Sequence, residues 1–187
     1  MRASLVALLA LGCTSSPRIP LRTAAIYPTL GPASRCVVEP YAASDGPERG
    51  HLVRVTIAGH ETVRRVAGVA GDRVAVTDGR LVLSGVRVGG KIAQARTPCK
   101  VGPSPRCECR IAEETLGSRT YPVQTVLAES AFEDARCIRA PDAPEVVVPP
   151  GHVFLLADNR DAASDSRDLG PQPLTSLRGR VVRCEPR

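Results

Sequence analysis

The amino-acid sequence predicts a mostly β protein, and three observations carry that prediction. Apolar and polar residues alternate with a period of two in run after run, with valine and other β-branched side chains over-represented. Turn residues separate the runs at Gly31-Pro32, Ser44-Asp45-Gly46-Pro47, Ala58-Gly59 and Thr77-Asp78-Gly79, the Asp-Gly pair being a strong hairpin signal. A third signal is the apolar run 152–157, which follows Pro149-Pro150-Gly151 as a short buried strand would. Aromatic residues are only 3% of the 187, so a core of ordinary size must be built from Val, Leu, Ala and Ile.

Taken in order, the chain begins with Arg2 and a run over 3–12 broken only by Ser4. That is too short to cross a bilayer core of roughly 30 Å as a helix, but it is the length of an export signal. It closes on Ala10-Leu11-Gly12-Cys13, which resembles the lipobox of bacterial lipoproteins, although Ala10 stands where Leu is more usual. Residues 1–12 are therefore expected to be a signal peptide and 13–22 a tether. Acyl chains on Cys13 would contribute about 0.8 kcal/mol of membrane affinity per buried CH₂. The competing reading is an ordinary cleaved signal with an incidental cysteine.

Strands are expected over 35–39, 51–57, 61–69, 72–77 and 80–83. From 89 to 150 the composition shifts to Pro, Cys and charge, with strand character at 121–128 and a short helix over 129–136. The run 152–157 and a closing strand over 178–184 then return to the first pattern.

Seven cysteines in an exported chain leave one over. With Cys13 taken as the lipid carrier, six remain: Cys36, Cys99, Cys107, Cys109, Cys137 and Cys184. Sequence does not choose among their pairings, although Cys107 and Cys109 are too close to suit each other. Cys36 and Cys184 sit at the ends of expected strands and are the favoured pair, leaving the other four to staple the cysteine-rich segment. A zinc site on Cys99, Cys107, Cys109 and Cys137 competes with this. Their spacing is not that of a familiar zinc knuckle, and an oxidising compartment favours bridges, so no metal is expected.

Net charge is +6, and all of the 25 basic residues except Lys91 and Lys100 are arginine. The arginines are scattered, without a basic run or interleaved aromatics on which bases could stack, and nucleic acid is not an expected partner. His60-Glu61-Thr62-Val63-Arg64 echoes half of a zinc-protease motif but lacks the second histidine and alternates as a strand does. His51 and His152 open expected strands and read as structural. Gly68 and Gly71 turn the chain rather than cradle a phosphate, since no phosphate-loop motif is present, and no cofactor is expected.

The stretch 157–170, ADNRDAASDSRDLG, packs charges of both signs among short hydrogen-bonding side chains. Its order, [G/A]-D-N-R-x-x-x-x-D-S-R-x-x-G after an apolar strand, resembles the C-terminal signature of the bacterial signal peptidase I (leader peptidase) family. Other blocks resemble that family in the same order. Tyr27-Pro28-Thr29-Leu30 is similar to the end of S-M-x-P-T-L, and residues 47–53 to R-G-D-[IV]-V. Residues 64–72, RRVAGVAGD, resemble K-R-V-[VA]-G-L-P-G-D, and 78–85, DGRLVLSG, resemble N-G-x-L-x-[IV]-N-G.

The resemblance implies a β-barrel core of coiled antiparallel sheets over 23–89 and 147–187, with a small disulfide-rich β subdomain inserted over 90–146. It also implies a serine nucleophile activated by a neutral lysine, which desolvation must keep unprotonated. Laid on the motifs, the nucleophile position is Ala25, the base position Arg64, and the serine that would support the lysine Ala163. A methyl group cannot attack a carbonyl, and a guanidinium keeps its proton and offers no lone pair. Thr23 matches the oxyanion-hole hydroxyl of the family and is expected on the same strand face as Ala25. Asp158, Asn159, Arg160, Asp165, Ser166 and Arg167 form the signature loop, with Arg160, Asp165 and Arg167 as an ion-pair network.

The family's substrates lie extended along the strand that leads to the nucleophile, here residues 19–25. The expectation is thus a catalytically silent relative, lipid-anchored in the bacterial cell envelope and facing the periplasm, which binds an extended peptide or a segment of an exported protein. The alternatives are an active serine endopeptidase with a rewired dyad and a purely structural envelope module.

Overall fold

The computed structural model describes residues 18–21, 23–42, 45–100 and 106–185. The expected signal peptide, most of the tether and Cys13 lie outside the described residues.

The fold is mostly β. Strands β1 (Arg18–Pro20), β2 (Arg35–Glu39), β3 (Leu52–Ile57) and β4 (His60–Val69) come first, followed by β5 (Arg73–Thr77), β6 (Arg80–Leu83) and β7 (Val86–Arg87). The cysteine-rich segment supplies β8 (Ile92–Pro98), β9 (Glu108–Leu116), β10 (Arg119–Val126) and helix α1 (Ala128–Glu133). The chain ends with β11 (Ala143–Val147), β12 (His152–Leu156), helix α2 (Ser166–Leu169), β13 (Gln172–Pro173) and β14 (Leu177–Glu185). They form a seven-stranded sheet in the order β1-β2-β14-β3-β4-β12-β13, a four-stranded sheet β11-β5-β6-β7 and a three-stranded sheet β10-β9-β8. Every strand pair is antiparallel.

Alternation gives the strands their faces. Val53, Val55 and Ile57 of β3 point one way and pack with Val66, Val153 and Leu155. Ala67, Val74, Val76, Leu81, Phe154 and Leu156 face the other side, where Leu116, Tyr121 and Val123 of the three-stranded sheet complete a second core. Two glycines make close approaches that no other residue could. A Cβ on Gly68 would sit 2.5 Å from Val74, where β4 passes under β5. A Cβ on Gly179, at φ 131°, would sit 2.4 Å from the Glu39 carbonyl oxygen, beside a bulge of β14.

The structure departs from the sequence expectations in two places. The sheets do not close into a barrel: β1 and β13 are separate edges of the largest sheet, because closure needs its two outer strands to pair. The expected insert over 90–146 packs directly against the core. Its last strand, β11, pairs with β5, and Leu116, Tyr121 and Val123 lie in the central core. Residues 19–25 are not one extended strand either. β1 ends at Pro20, and 24–30 is a turn in which the Tyr27 amide donates to the Ala24 carbonyl and the Leu30 amide to that of Ile26. The strands β7, β8 and β9 lack clean alternation, and sequence periodicity passes over them.

Cys36 at the end of the main sheet is bonded to Cys184, joining β2 to β14 across 148 residues of chain. Cys99 is bonded to Cys109 and Cys107 to Cys137, and these four cysteines pack together with Val126. The cysteines that suggested a zinc site are thus engaged with each other in pairs.

Candidate active site and peptide groove

The loop 157–170 is the hub of the site, and its own short-range bonds shape it. The Asp165 carboxylate caps α2 by accepting from the Arg167 amide (3.0 Å), and also accepts from the Ala157 amide (2.9 Å). The Asp168 carboxylate reaches back to the Asp165 amide at 3.2 Å, completing a capping box. The Ser166 hydroxyl accepts from the Leu155 amide at 2.9 Å, fastening the loop to the strand before it.

Two buried ion pairs lock this loop to the sheets. Arg65 grips Asp158 through two bonds of 2.8 and 2.7 Å, donates to the Gly50 carbonyl and lies over the Tyr121 ring, 3.6 Å from its centroid. Thr29 adds a hydroxyl at 2.5 Å from Asp158. Arg160, 1% exposed, donates to Glu114 of β9 at 3.0 and 2.5 Å, and to the carbonyls of Gly79 and Ala157. Burial works against the Arg160 charge, but Glu114 more than offsets it, and the net shift is upward. The expected network is therefore split. Arg167 pairs with Asp165, whereas Arg160 pairs with Glu114, a partner on the cysteine-rich segment that motif reading could not supply.

Ala25 is buried, and its carbonyl accepts from the Asn159 amide at 2.9 Å. The Ala25 amide donates to the Thr23 hydroxyl at 3.1 Å. Thr23 therefore bonds within the turn and does not share an extended strand face with Ala25. Arg64 is 6% exposed and makes four bonds: it donates to the Ser164 carbonyl at 2.9 and 3.3 Å, to the Thr62 hydroxyl at 2.6 Å and to the Val63 carbonyl at 2.8 Å. Burial lowers its proton affinity, Asp165 opposes that and Arg167 adds to it. Ala163 is half-buried in the same bend as Ser164. One loop therefore holds Ala25 at its Asn159 end and Arg64 at its Ser164 end.

Next to the turn, reaching Thr23 but not the buried Ala25, runs a groove of about 300 Å³. Ile19, Leu21 and Thr23 form one wall, and Glu61, Thr62 and Val63, which lead to Arg64, form the other. Arg54 of β3 pairs with Glu61 at its rim. No helix among the described residues is long and apolar enough to cross a membrane.

Comparison with known proteins decides the family, because residues 1–184 match the family described as signal peptidase, peptidase S26. The chain belongs to the signal peptidase family. Similar proteins include signal peptidase I of Pseudomonas fluorescens, 32% identical over 106 residues, which cover 56% of this chain and 32% of that protein. Another is mitochondrial inner membrane protease subunit 1 of Xenopus tropicalis, 43% identical over 51 residues, or 26% of this chain and 30% of the relative. The chain thus spans about a third of the length of these curated relatives. A crystal structure of a signal peptidase I from Enterococcus faecalis matches at a TM-score of 0.43 and 21% identity, covering 74% of this chain and 98% of that one.

Within this signal peptidase family member, sequence motifs located the loop and missed its supports. Thr29 and Arg65 lie inside the blocks 27–30 and 64–72, but their bonds to Asp158 were not read from them, and Glu114 belongs to no block at all. Glu114 sits on β9, whose lack of clean alternation gives no inward position to read, and once buried it must be paired.

Proposed function

We propose that this member of the signal peptidase family binds extended peptide segments of exported proteins without hydrolysing them. It would serve as a binding or scaffold lipoprotein of the bacterial cell envelope, held to a bilayer through acylated Cys13 and facing the periplasm. The observation that carries this reading is the state of Arg64. The side chain at the position of the family's general base is a buried guanidinium with four donor contacts already made, and it has no lone pair to accept a proton.

Other features support the reading. Ala25 has no nucleophilic atom. The two lysines of the chain, Lys91 and Lys100, are exposed, so neither is desolvated as a neutral base must be. His51 is bonded to the Glu48 amide, His152 to the Pro150 carbonyl, and His60 is exposed. Loss of one member of a catalytic set costs on the order of 10⁴ to 10⁶ in turnover. The groove keeps a strand edge and shallow apolar walls, enough to add a peptide strand by main-chain bonds.

The test is incubation of the purified chain with a preprotein bearing a small-x-small cleavage site. The expected result is binding without cleavage, with affinity reduced when Ile19→Asp puts a charge on the apolar wall of the groove. Cleavage that disappears in Thr23→Ala would instead establish a rewired serine-type endopeptidase, because the Thr23 hydroxyl lines the groove. Absence of saturable peptide binding would leave a structural envelope module. The triple change Ala25→Ser, Arg64→Lys, Ala163→Ser is expected to restore measurable cleavage if only the chemistry has been lost.

A further inference from the structure

Away from the peptide groove, a second cavity of about 320 Å³ is lined by Gly50, His51, Leu52, Arg65, Arg119 and Arg180, with no residue in common with the groove. Three guanidinium groups around one cavity are unusual unless something negative stands among them. Arg65 is neutralised by Asp158 and committed to the Gly50 carbonyl. The Arg180 side chain makes no hydrogen bond or ion pair among the described residues, although it is close enough to influence both Tyr41 and His51.

Arg119 is incompletely satisfied for a different reason. Its Nη1 lies 3.4 Å from Glu48, whose side chain is 67% exposed at the rim. Its Nη2 is directed at His51 Nε2, 2.9 Å away. But His51 Nδ1 already accepts from the Glu48 amide at 3.1 Å, so a neutral ring must carry its proton on Nε2. That N–H lies 3.3 Å from the Glu48 carboxylate and cannot also accept from Arg119. A donor thus faces a donor, and the Arg119 hydrogens on that side lack an acceptor.

Two further observations point the same way. The Tyr41 hydroxyl is buried without a partner, at a neighbouring cavity that shares His51 and Arg180. The register of β14 slips between Val181 and Arg183, so Val182, on the cavity wall, has no partner residue on β2.

We propose that this cavity binds a phosphate-type oxyanion, held between the forks of Arg119 and Arg180. A tetrahedral anion presents oxygens in several directions and can meet two forks at once, which a planar carboxylate cannot do equally well. The same chemistry is offered by free phosphate and by the phosphodiester of a lipid headgroup.

The test is calorimetric titration of the full chain, at constant ionic strength, with inorganic phosphate and separately with glycerophosphoglycerol, the soluble headgroup of an anionic phospholipid. Saturable binding of at least one is expected, weakened roughly tenfold or more by Arg180→Gln or Arg119→Gln. It should be unchanged by Arg183→Gln, an exposed arginine of the same strand. Binding of phosphate alone assigns a free anion, and binding of the headgroup alone assigns a lipid. Arg180→Gln breaks no internal bond, so an unchanged thermal midpoint will show that it remains folded. The proposal is overturned if neither probe binds, if acetate binds as well as phosphate, or if Arg183→Gln weakens binding as much as Arg180→Gln.

Discussion

Glu114 shows how one side chain can decide the stability of a site built from distant residues. It is 2% exposed, accepts two bonds from the fully buried Arg160 and a third from Tyr121, and it has no water to fall back on. Removing one partner of such a pair leaves an uncompensated charge in the core. Glu114→Ala is therefore expected to lower unfolding free energy by about 3–5 kcal/mol, measured by urea denaturation, whereas replacing both partners by apolar residues should cost far less. His51 carries a different signature. Burial first, then Arg119, hold its imidazole below the ordinary 6.5, with Glu48 pulling upward and Arg180 downward. The unfolded chain takes up a proton near 6.5 while the folded one resists. This contribution to stability is complete above that value and is lost as pH falls below it. Thermal midpoints should therefore drop more steeply as pH falls below 6.5 in the wild type than in His51→Gln. Equal slopes would remove His51 from the account.

Among the elements, β14 does the most to join the two ends of the chain. It lies between β2 and β3, bulges twice, and is bonded through Cys184 to Cys36. Cross-linking residues 148 apart removes more freedom from the unfolded chain than the Cys99–Cys109 bridge, which spans 10. In the chain-entropy account the long link contributes about 4–5 kcal/mol and the short one about 3. Denaturant titration of Cys36→Ala/Cys184→Ala beside Cys99→Ala/Cys109→Ala should show the larger loss in the first. The reverse order would mean that the short bridge supports packing around Val126 that loop length does not describe.

Across the whole molecule, the parts with a regular period were legible and the parts without one were not. β2 and β6 fall where alternation and the Asp78-Gly79 turn put them, and β3 and β4 within a residue of it; alternating burial sets the faces of β3, whereas β4 is buried on both faces over 63–68, with Val66 in one core and Ala67 in the other. β8 is exposed along nearly its whole length, so no burial pattern was imprinted on it. β1 was expected to run on to Ala25, but the turn 24–30 intervenes, held from outside by the Asn159 amide on the Ala25 carbonyl. The open sheets follow from edges that are short rather than from any residue that forbids closure: β1 has three residues and β13 two.

By itself the sequence determined the family, through blocks of residues whose order survives without coordinates, and it determined the chemical character of Ala25 and Arg64, since side-chain identity alone decides whether an atom can attack or accept a proton. Only the tertiary structure decided which charges neutralise which. Arg160 with Glu114, Arg65 with Asp158 and the unmet donors of Arg119 and Arg180 depend on distances between strands remote in the chain. A local pattern records what one segment does against water or core, whereas a charge buried away from water must find its partner wherever the sheets happen to bring one.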